Sequence, residues 1–444
     1  MAARDRAPRL CGEDVLLHED GLRGTGDGYE PSSRHAGPVP IPKSLVSGSA
    51  PLHRYEHVIL GAGCAGLSLC YYLLEQGVEE PILILDRRSG FEDDRTWCFW
   101  DVEETPFSGL AVRSWSSWRF RTGKREIMQT SAEHPYLCLT GADFYRNVLA
   151  CIAARDNVTL RLGQEILGYE ESSDETRVET TGETYSARHV FDARGLPPDS
   201  EAAAEARRRS AWVPQKFLGL RVRTREPVFD PVSCTLMDFS VSQARGLRFA
   251  YVLPFGEKEA LVENVYLSEA EVSAEEHRAE VSGYLRDRYG LSTGDYVVDG
   301  EERGYVPMTD HRFPRRMGER TYAVGMLGGE TRPSTGYTFL RIQRYCRSLA
   351  RSIAVGSTVP EHSEPRRLGL LDGIFLRFMR EHPERCPEVY HRMFAGVAPG
   401  PLVRFLTEKS TPADELRLVM ALPKTPFLRV AARMLLDARP TTVR

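Results

Sequence analysis

Three glycines, Gly61, Gly63 and Gly66, follow the apolar run His57-Val58-Ile59-Leu60 and open a second apolar stretch. That spacing suits the holding of a pyrophosphate. The first glycine makes a tight turn, the second lets backbone N–H groups approach the anion, and the third lets helix and strand pack closely. A helix N-terminus behind them carries partial positive charge. Asp86 lies 20 residues beyond Gly66, at the end of the next apolar run Pro81–Asp86, where a carboxylate accepts from ribose hydroxyls. A turn-capping aspartate is the plain alternative.

Two later segments repeat the pattern of a strand running into a glycine turn. Val190-Phe191-Asp192-Ala193-Arg194-Gly195 has the form by which many FAD proteins return to their cofactor, and Asp192, Arg194 and Gly195 are its candidate contacts. Downstream, Thr321–Met326 feeds a loop containing Gly328, Pro333, Thr335 and Gly336, geometry suited to flavin phosphates and the flavin ring. Taken in this order, the three segments predict FAD; an ordinary strand end and a turn without function are the alternatives. Glu263 is a different kind of candidate. It interrupts the alternating strand Ala260–Tyr266, and a charged residue in an apolar strand needs a reason. A solvent-facing position on a half-buried strand would be one.

These residues need a frame to position them. Residues 57–86 read as strand, turn, helix and strand, the βαβ unit of a doubly wound parallel sheet. Over roughly 90–310, short alternating segments such as Val158–Leu162, Phe217–Val222, Phe249–Leu253 and Ala260–Tyr266 predict antiparallel sheet, with a substrate domain over about 200–310. A helix opens there at the capping pair Ser273 and Glu276. The expected class is α/β: a Rossmann-type FAD-binding fold of the hydroxylase-like kind over 55–365, with the antiparallel-sheet substrate domain interleaved. Beyond 366 the chain reads as helical to residue 444, with joints at Pro383, Pro387, Pro399, Pro401, Pro412, Pro423 and Pro426. Residues 1–54, rich in Arg, Gly, Pro and Ser, read as a disordered leader dispensable for folding.

Composition removes several function classes. With 58 Lys and Arg against 62 Asp and Glu, the net charge of −4 leaves no basic footprint for nucleic acid. Nine cysteines without a CxxC pair fit a reduced, cytoplasmic protein and predict no metal site. No apolar run reaches the roughly 18 residues of a membrane span, although peripheral attachment to a membrane surface needs only a patch.

The blocks Asp93–Trp100 (DDRTWCFW), Gln215–Leu220 (QKFLGL), Leu236–Phe239 (LMDF), Phe249–Phe255 (FAYVLPF), Leu261–Asn264 (LVEN), Gly304–Asp310 (GYVPMTD) and Arg332–Phe339 (RPSTGYTF) resemble, in order, the bacterial lycopene beta-cyclase family. The resemblance runs from about residue 55 to about 430. It implies a flavoprotein that closes the linear ψ ends of lycopene, or a related linear carotene, into β rings. It further implies reduced FAD without net oxidation, NADPH as external reductant, peripheral membrane attachment and neighbouring carotenoid enzymes. Such chemistry needs a buried acid, a cation-tolerant wall and exclusion of water. The resemblance makes Glu263 the acid, with Asp238 of LMDF as a second candidate, and places Arg95 and Thr96 near the flavin. In the family an acidic residue follows this glutamate; here Asn264 does, which opposes a mechanism built on adjacent carboxylates. Trp97, Phe99, Trp100, Tyr251 and Phe255 are candidates to line a polyene tunnel, or plain core. A redox flavoenzyme acting on an isoprenoid, and a prenyl carrier that has lost its cofactor, are the competing readings.

Overall fold

The computed structural model describes residues 38–46, 54–361 and 364–437. Strand β1 (Arg54–Leu60) turns into helix α1 (Cys64–Glu75) and returns as β2 (Ile82–Leu85). An excursion through β3 (Thr96–Trp100), β4 (Arg113–Trp115), β5 (Ser117–Thr122), β6 (Arg125–Thr130) and β7 (Tyr136–Thr140) leads into α2 (Gly141–Ala153). β8 (Val158–Arg161), β9 (Ile166–Glu171), β10 (Thr176–Thr180) and β11 (Thr184–Asp192) follow. After α3 (Glu201–Arg209) come β12 (Trp212–Thr224), β13 (Ser233–Asp238), β14 (Leu247–Pro254), β15 (Glu259–Leu267), α4 (Ala274–Tyr289) and β16 (Tyr296–Thr309). β17 (Thr321–Ala323) and α5 (Phe339–Ala354) precede the C-terminal helices α6 (Arg366–Glu381), α7 (Cys386–Gly396), α8 (Pro399–Leu406), α9 (Pro412–Ala421) and α10 (Lys424–Asp437).

The first sheet runs β8-β2-β1-β11, all parallel. Strands buried on both faces must be apolar throughout, and Ile82–Leu85 is buried at every position. One face is covered by α1, α2 and α5 through Leu67, Tyr72, Val148, Ile342 and Leu349. β11 divides its outer edge: its first half, Thr184–Ala187, pairs antiparallel with β10, and its last residues, Val190–Asp192, pair parallel with β17. All the parallel strands therefore end on the side where the glycine turns lie, the crevice where open α/β sheets bind ligands.

The second sheet runs β16-β12-β15-β14-β13-β5-β6. It takes two strands from Ser117–Thr130, upstream of the expected 200–310 substrate domain but within the stretch from about residue 90 where antiparallel sheet is expected. Strict alternation gives it two different faces. Leu218, Leu220, Ala260 and Val262 pack under α4 through Val281 and Leu285, and α4 carries the expected capping box between Ser273 and Glu276. Leu261, Val265, Phe249 and Leu253 point the other way, toward the small sheet β3-β7-β4 and the C-terminal helices.

The structure corrects one expectation about the leader. Val39 bridges to Phe91, and Leu45 is fully buried in the same cluster as Leu69 and Phe144. Two apolar side chains suffice to dock this segment, so its polar composition misleads over 38–46; the rest of the leader lies outside the described residues. Leu45→Ala is expected to destabilise the protein by about 2–5 kcal/mol, the usual loss for a buried leucine. Urea denaturation measures it, and a loss under about 1 kcal/mol would show that the segment merely rests on the surface.

Candidate active site

Each glycine of the first turn has a visible reason. Gly61 has φ +102°, and a Cβ there would stand 2.9 Å from the Ala193 carbonyl oxygen. A Cβ on Gly66 would sit 1.9 Å from the Gly61 carbonyl oxygen, so α1 and β1 meet only because it is absent. At Gly63 a Cβ would meet nothing within 4 Å. This residue is also the N-cap of α1 and offers the helix no side-chain cap, so the first-turn amides face open space. The cradle fits the pyrophosphate of a dinucleotide.

The residues around the cradle are mostly engaged in holding its shape. Asp86 is buried and accepts from the Ala62 N–H at 2.6 Å and the Arg88 N–H at 2.8 Å, tying the end of β2 to the glycine turn. Asp192 clamps the next turn by accepting from Arg194 Nε at 2.9 Å and Nη2 at 2.7 Å, and Gly195 follows at φ +86°. Gly328 lies against the Ala323 carbonyl, 2.7 Å from where its Cβ would be. The loop with Pro333, Thr335 and Gly336 is anchored by Arg332, which is 1% exposed and donates to Asp372 from Nε at 3.1 Å and Nη2 at 2.9 Å. Ser334 donates to the same carboxylate at 2.6 Å, and Arg332 Nη1 donates to the Phe405 carbonyl. The loop is thereby fastened to α6 and α8.

Glu263 is 7% exposed and faces the small sheet, in one cross-strand row with Tyr251 of β14, Gly219 of β12 and, beyond Gly219, Glu302 of β16. A side chain at Gly219 would collide with Glu263 Cγ at 2.8 Å, so the glutamate lies across the space that glycine leaves. There its carboxyl hydrogen-bonds that of Glu302. Thr96 Oγ1 donates to Glu302 Oε2 at 2.7 Å. Burial first, and then the charge of Glu302, hold the Glu263 carboxyl well above the usual carboxylate range. Burial raises Glu302 too, opposed by its bonds from Glu263 and Thr96. Two ionised carboxylates in contact away from water would cost several kcal/mol, so the pair keeps a proton near neutral pH.

The other expectations meet mixed ends. Asp238 lies on the opposite face of the sheet, under α4, fully buried and accepting from Tyr284 Oη at 3.0 Å and from the Ser240 N–H at 2.9 Å. The sheet therefore separates it from Glu263. Arg95 donates to the Asp94 carbonyl at 2.6 Å and the Arg303 carbonyl at 3.0 Å, and Thr96 points at Glu302 and not into the cradle. Sequence reasoning missed Glu302: one residue separates it from the GYVPMTD block, but the register that brings it to Glu263 exists only in the folded sheet.

A cavity of about 350 Å³ lies on the Glu263 face of the sheet, between β12–β16 and the C-terminal helices. Leu236, Phe249, Phe375, Tyr390, Phe394 and Phe427 are among its mainly apolar walls. None of Trp97, Phe99, Trp100, Tyr251 and Phe255 lines it. Trp97 and Phe99 instead pack on Phe339, Trp100 on Trp118 and Tyr136, and Phe255 beneath the Arg221 guanidinium. Tyr251 joins acid and cavity indirectly. Its hydroxyl is 3.1 Å from that of Tyr136, and the Tyr136 hydroxyl lies near that of Tyr337, a cavity wall.

A family model described as lycopene cyclase protein matches residues 57–432. The chain belongs to the lycopene cyclase family. It is 24% identical over 396 residues to lycopene beta-cyclase of Pantoea ananas, covering 84% of this chain and 96% of that protein. The lycopene beta-cyclase of Paracoccus sp. (strain N81106 / MBIC 01143) is 26% identical over 404 residues, covering 84% and 95%. Solved structures share the fold at lower identity. A geranylgeranyl bacteriochlorophyll reductase-like protein of Thermoplasma acidophilum matches with TM-score 0.57 at 14% identity, over 87% of this chain and all of that one. Halogenase PltM in complex with phloroglucinol and FAD matches with TM-score 0.53 at 14% identity, over 87% of this chain and 93% of that one. The glycine cradle and the parallel sheet are thus those of a flavoprotein fold, and the acid pair and cavity lie in the second sheet of this family member.

Asp372→Ala should destabilise the fold by about 3–5 kcal/mol, because it leaves Arg332 charged, buried and without its carboxylate. Thermal and urea denaturation read this directly, and a near-neutral result would mean that water reaches the guanidinium.

Proposed function

We propose that this chain is an FAD-dependent lycopene beta-cyclase, closing the linear ψ end groups of lycopene into β rings by acid catalysis without net redox change. The observation that carries this reading is a buried glutamate, held toward its acid form by burial and by Glu302, on the same sheet face as an apolar cavity. A carboxylic acid kept neutral by its surroundings is the group needed to protonate an isolated alkene. The proton from Glu263 adds to the terminal double bond, a tertiary cation forms, the neighbouring double bond attacks it, and loss of a ring proton restores neutrality. Glu263, left as carboxylate after the first transfer, would take up the ring proton. The apolar walls exclude water, which would otherwise capture the cation.

Gly61, Gly63 and Gly66 would hold the pyrophosphate, with Asp86 at the ribose and Asp192, Arg194, Gly195, Gly328 and the Pro333–Gly336 loop around the remainder. Reduced FAD, when bound, supplies an electron-rich face that stabilises positive charge nearby; NADPH is the proposed external reductant. A carotene reaches the cavity from a bilayer. Val419 and Leu428 line the cavity yet are 39% and 66% exposed, so its mouth lies between α9 and α10. Leu416 and Met420 extend the apolar rim, and Arg417, Lys424 and Arg429 flank it, the composition of a helix surface lying on anionic lipid. Among the described residues no helix is long and apolar enough to cross a membrane.

Expression in a lycopene-accumulating host tests the reading, and the absence of any ring-bearing carotenoid would sink it. Glu263→Gln should keep flavin bound and lose cyclisation by about a hundred- to ten-thousand-fold, since the amide keeps the shape but has no acidic proton. Asp238→Asn, assayed with the same liposomes, should retain most activity; the reverse ranking would mean that the acid is misassigned. Gly63→Val should abolish flavin binding by filling the space before α1. A variant purified fully yellow would refute the placement of the cradle.

A further inference from the structure

Three residues from three different elements bracket Glu263. Gly219 of β12 leaves the gap, Glu302 of β16 reaches into it, and Thr96 of β3 donates to Glu302 Oε2 at 2.7 Å. An O–H between two carboxyls requires that one be protonated. Thr96 already donates to Glu302, which favours the ionised form there, so the shared proton resides on Glu263. We propose that Glu302 is the positioning residue of the acid, an ionised partner that keeps the proton on Glu263 and fixes the direction of its O–H, with Thr96 fixing Glu302 in turn. When Glu263 gives its proton to the alkene, the C–H bond forms from the π pair and two adjacent carboxylates face the new cation. Both the attraction to the cation and the repulsion between the carboxylates favour return of one proton at the end of ring closure. Nothing is oxidised, and no proton is consumed.

The groups facing this pair are few. Arg221 of β12 contributes positive charge but is held by Asp93 at 3.3 Å. Cys98 of β3 and Tyr251 of β14 stand beside Glu263, Tyr251 with its hydroxyl raised well above the usual range by burial, and Cys138 of β7 lies on the Glu302 side with its thiol likewise raised. Asp93 is itself raised, mainly by burial. Glu302 is therefore the nearest negative charge that can set the protonation of Glu263.

The role of Glu302 in turnover rests on Glu263 being the proton donor, but the shared proton is measurable without any carotene. Difference infrared spectroscopy of the flavin-loaded protein should show a carboxylic acid C=O band near neutral pH that Glu263→Gln removes. In Glu302→Gln the like charge is gone, so the band should titrate away at least about one pH unit lower. Cyclisation should fall more than about tenfold, with its alkaline limb moved down by the same amount. Thr96→Val keeps both carboxyls and removes only the bond that favours ionised Glu302. It should lower the plateau rate while moving the limb upward, and it tests the idea even if Glu302→Gln fails to fold. A wild-type band that is absent, or a band and limb unmoved in both variants, overturns the proposal. If the infrared shifts occur but no ring is ever formed, the cyclase reading falls and the shared proton stands.

Discussion

Two glutamates can meet inside a folded protein only if the strand between them has no side chain there and if they carry one negative charge instead of two. The first condition is Gly219, whose missing Cβ leaves the space Glu263 occupies. The second follows from burial, because a second ionised carboxylate would have neither water nor a dedicated cation to stabilise it. Much of the architecture around the pair serves these conditions. β12 must be the centre strand of the β15-β12-β16 trio, both neighbours antiparallel and in register at one residue. The small sheet must cover this face, since β3 brings Thr96 to Glu302 and β7 closes the other side with Cys138.

The dinucleotide half was legible because its constraints are local. Gly61, Gly63 and Gly66 act within six residues of one another, and their steric reasons are those that the spacing implies. Continuous apolar runs such as Ile82–Leu85 mark strands buried on both faces without any knowledge of partners. The second sheet was legible as alternation but not as pairing. Asp238 and Glu263 both stand in half-apolar strands, and only the sheet's two-sidedness, with α4 on one face, separates a carboxylate held by Tyr284 from one held against another carboxyl. Glu302 illustrates the same limit. Beside it Glu301 accepts from Arg278 at the surface, and nothing in the dipeptide says which glutamate turns inward.

The cavity was illegible for a related reason. Its walls come from β12 to β16 and from five C-terminal helices, segments as far apart in sequence as Gln215 and Phe427. The aromatic blocks near the N-terminus were better candidates by density, yet they fill cores. Phe99 stacks on Phe339 at 4.6 Å and Trp100 wedges against Trp118 and Tyr136. The cavity rings Phe375, Tyr390 and Phe427 come from separate helices instead, and Phe375 meets Tyr390 at 5.5 Å and Phe427 at 5.9 Å only once those helices have packed.

One link between the two halves is a buried cation. Arg332 sits where the loop bearing Pro333, Thr335 and Gly336 leaves the dinucleotide fold, and its partners, Asp372 and the Phe405 carbonyl, belong to helices that wall the cavity. Thr335 and Tyr337 of the same loop line that cavity, and Tyr337 leads by hydroxyl contacts through Tyr136 to Tyr251, beside Glu263. This loop therefore cannot shift without moving the cavity wall. Because the guanidinium is buried, it has no aqueous alternative to Asp372, and the loop has one favourable position. A buried salt bridge adds little to stability compared with well-packed apolar residues. Its use here is geometric: it sets the distance between the place where a cofactor would lie and the place where a proton is kept.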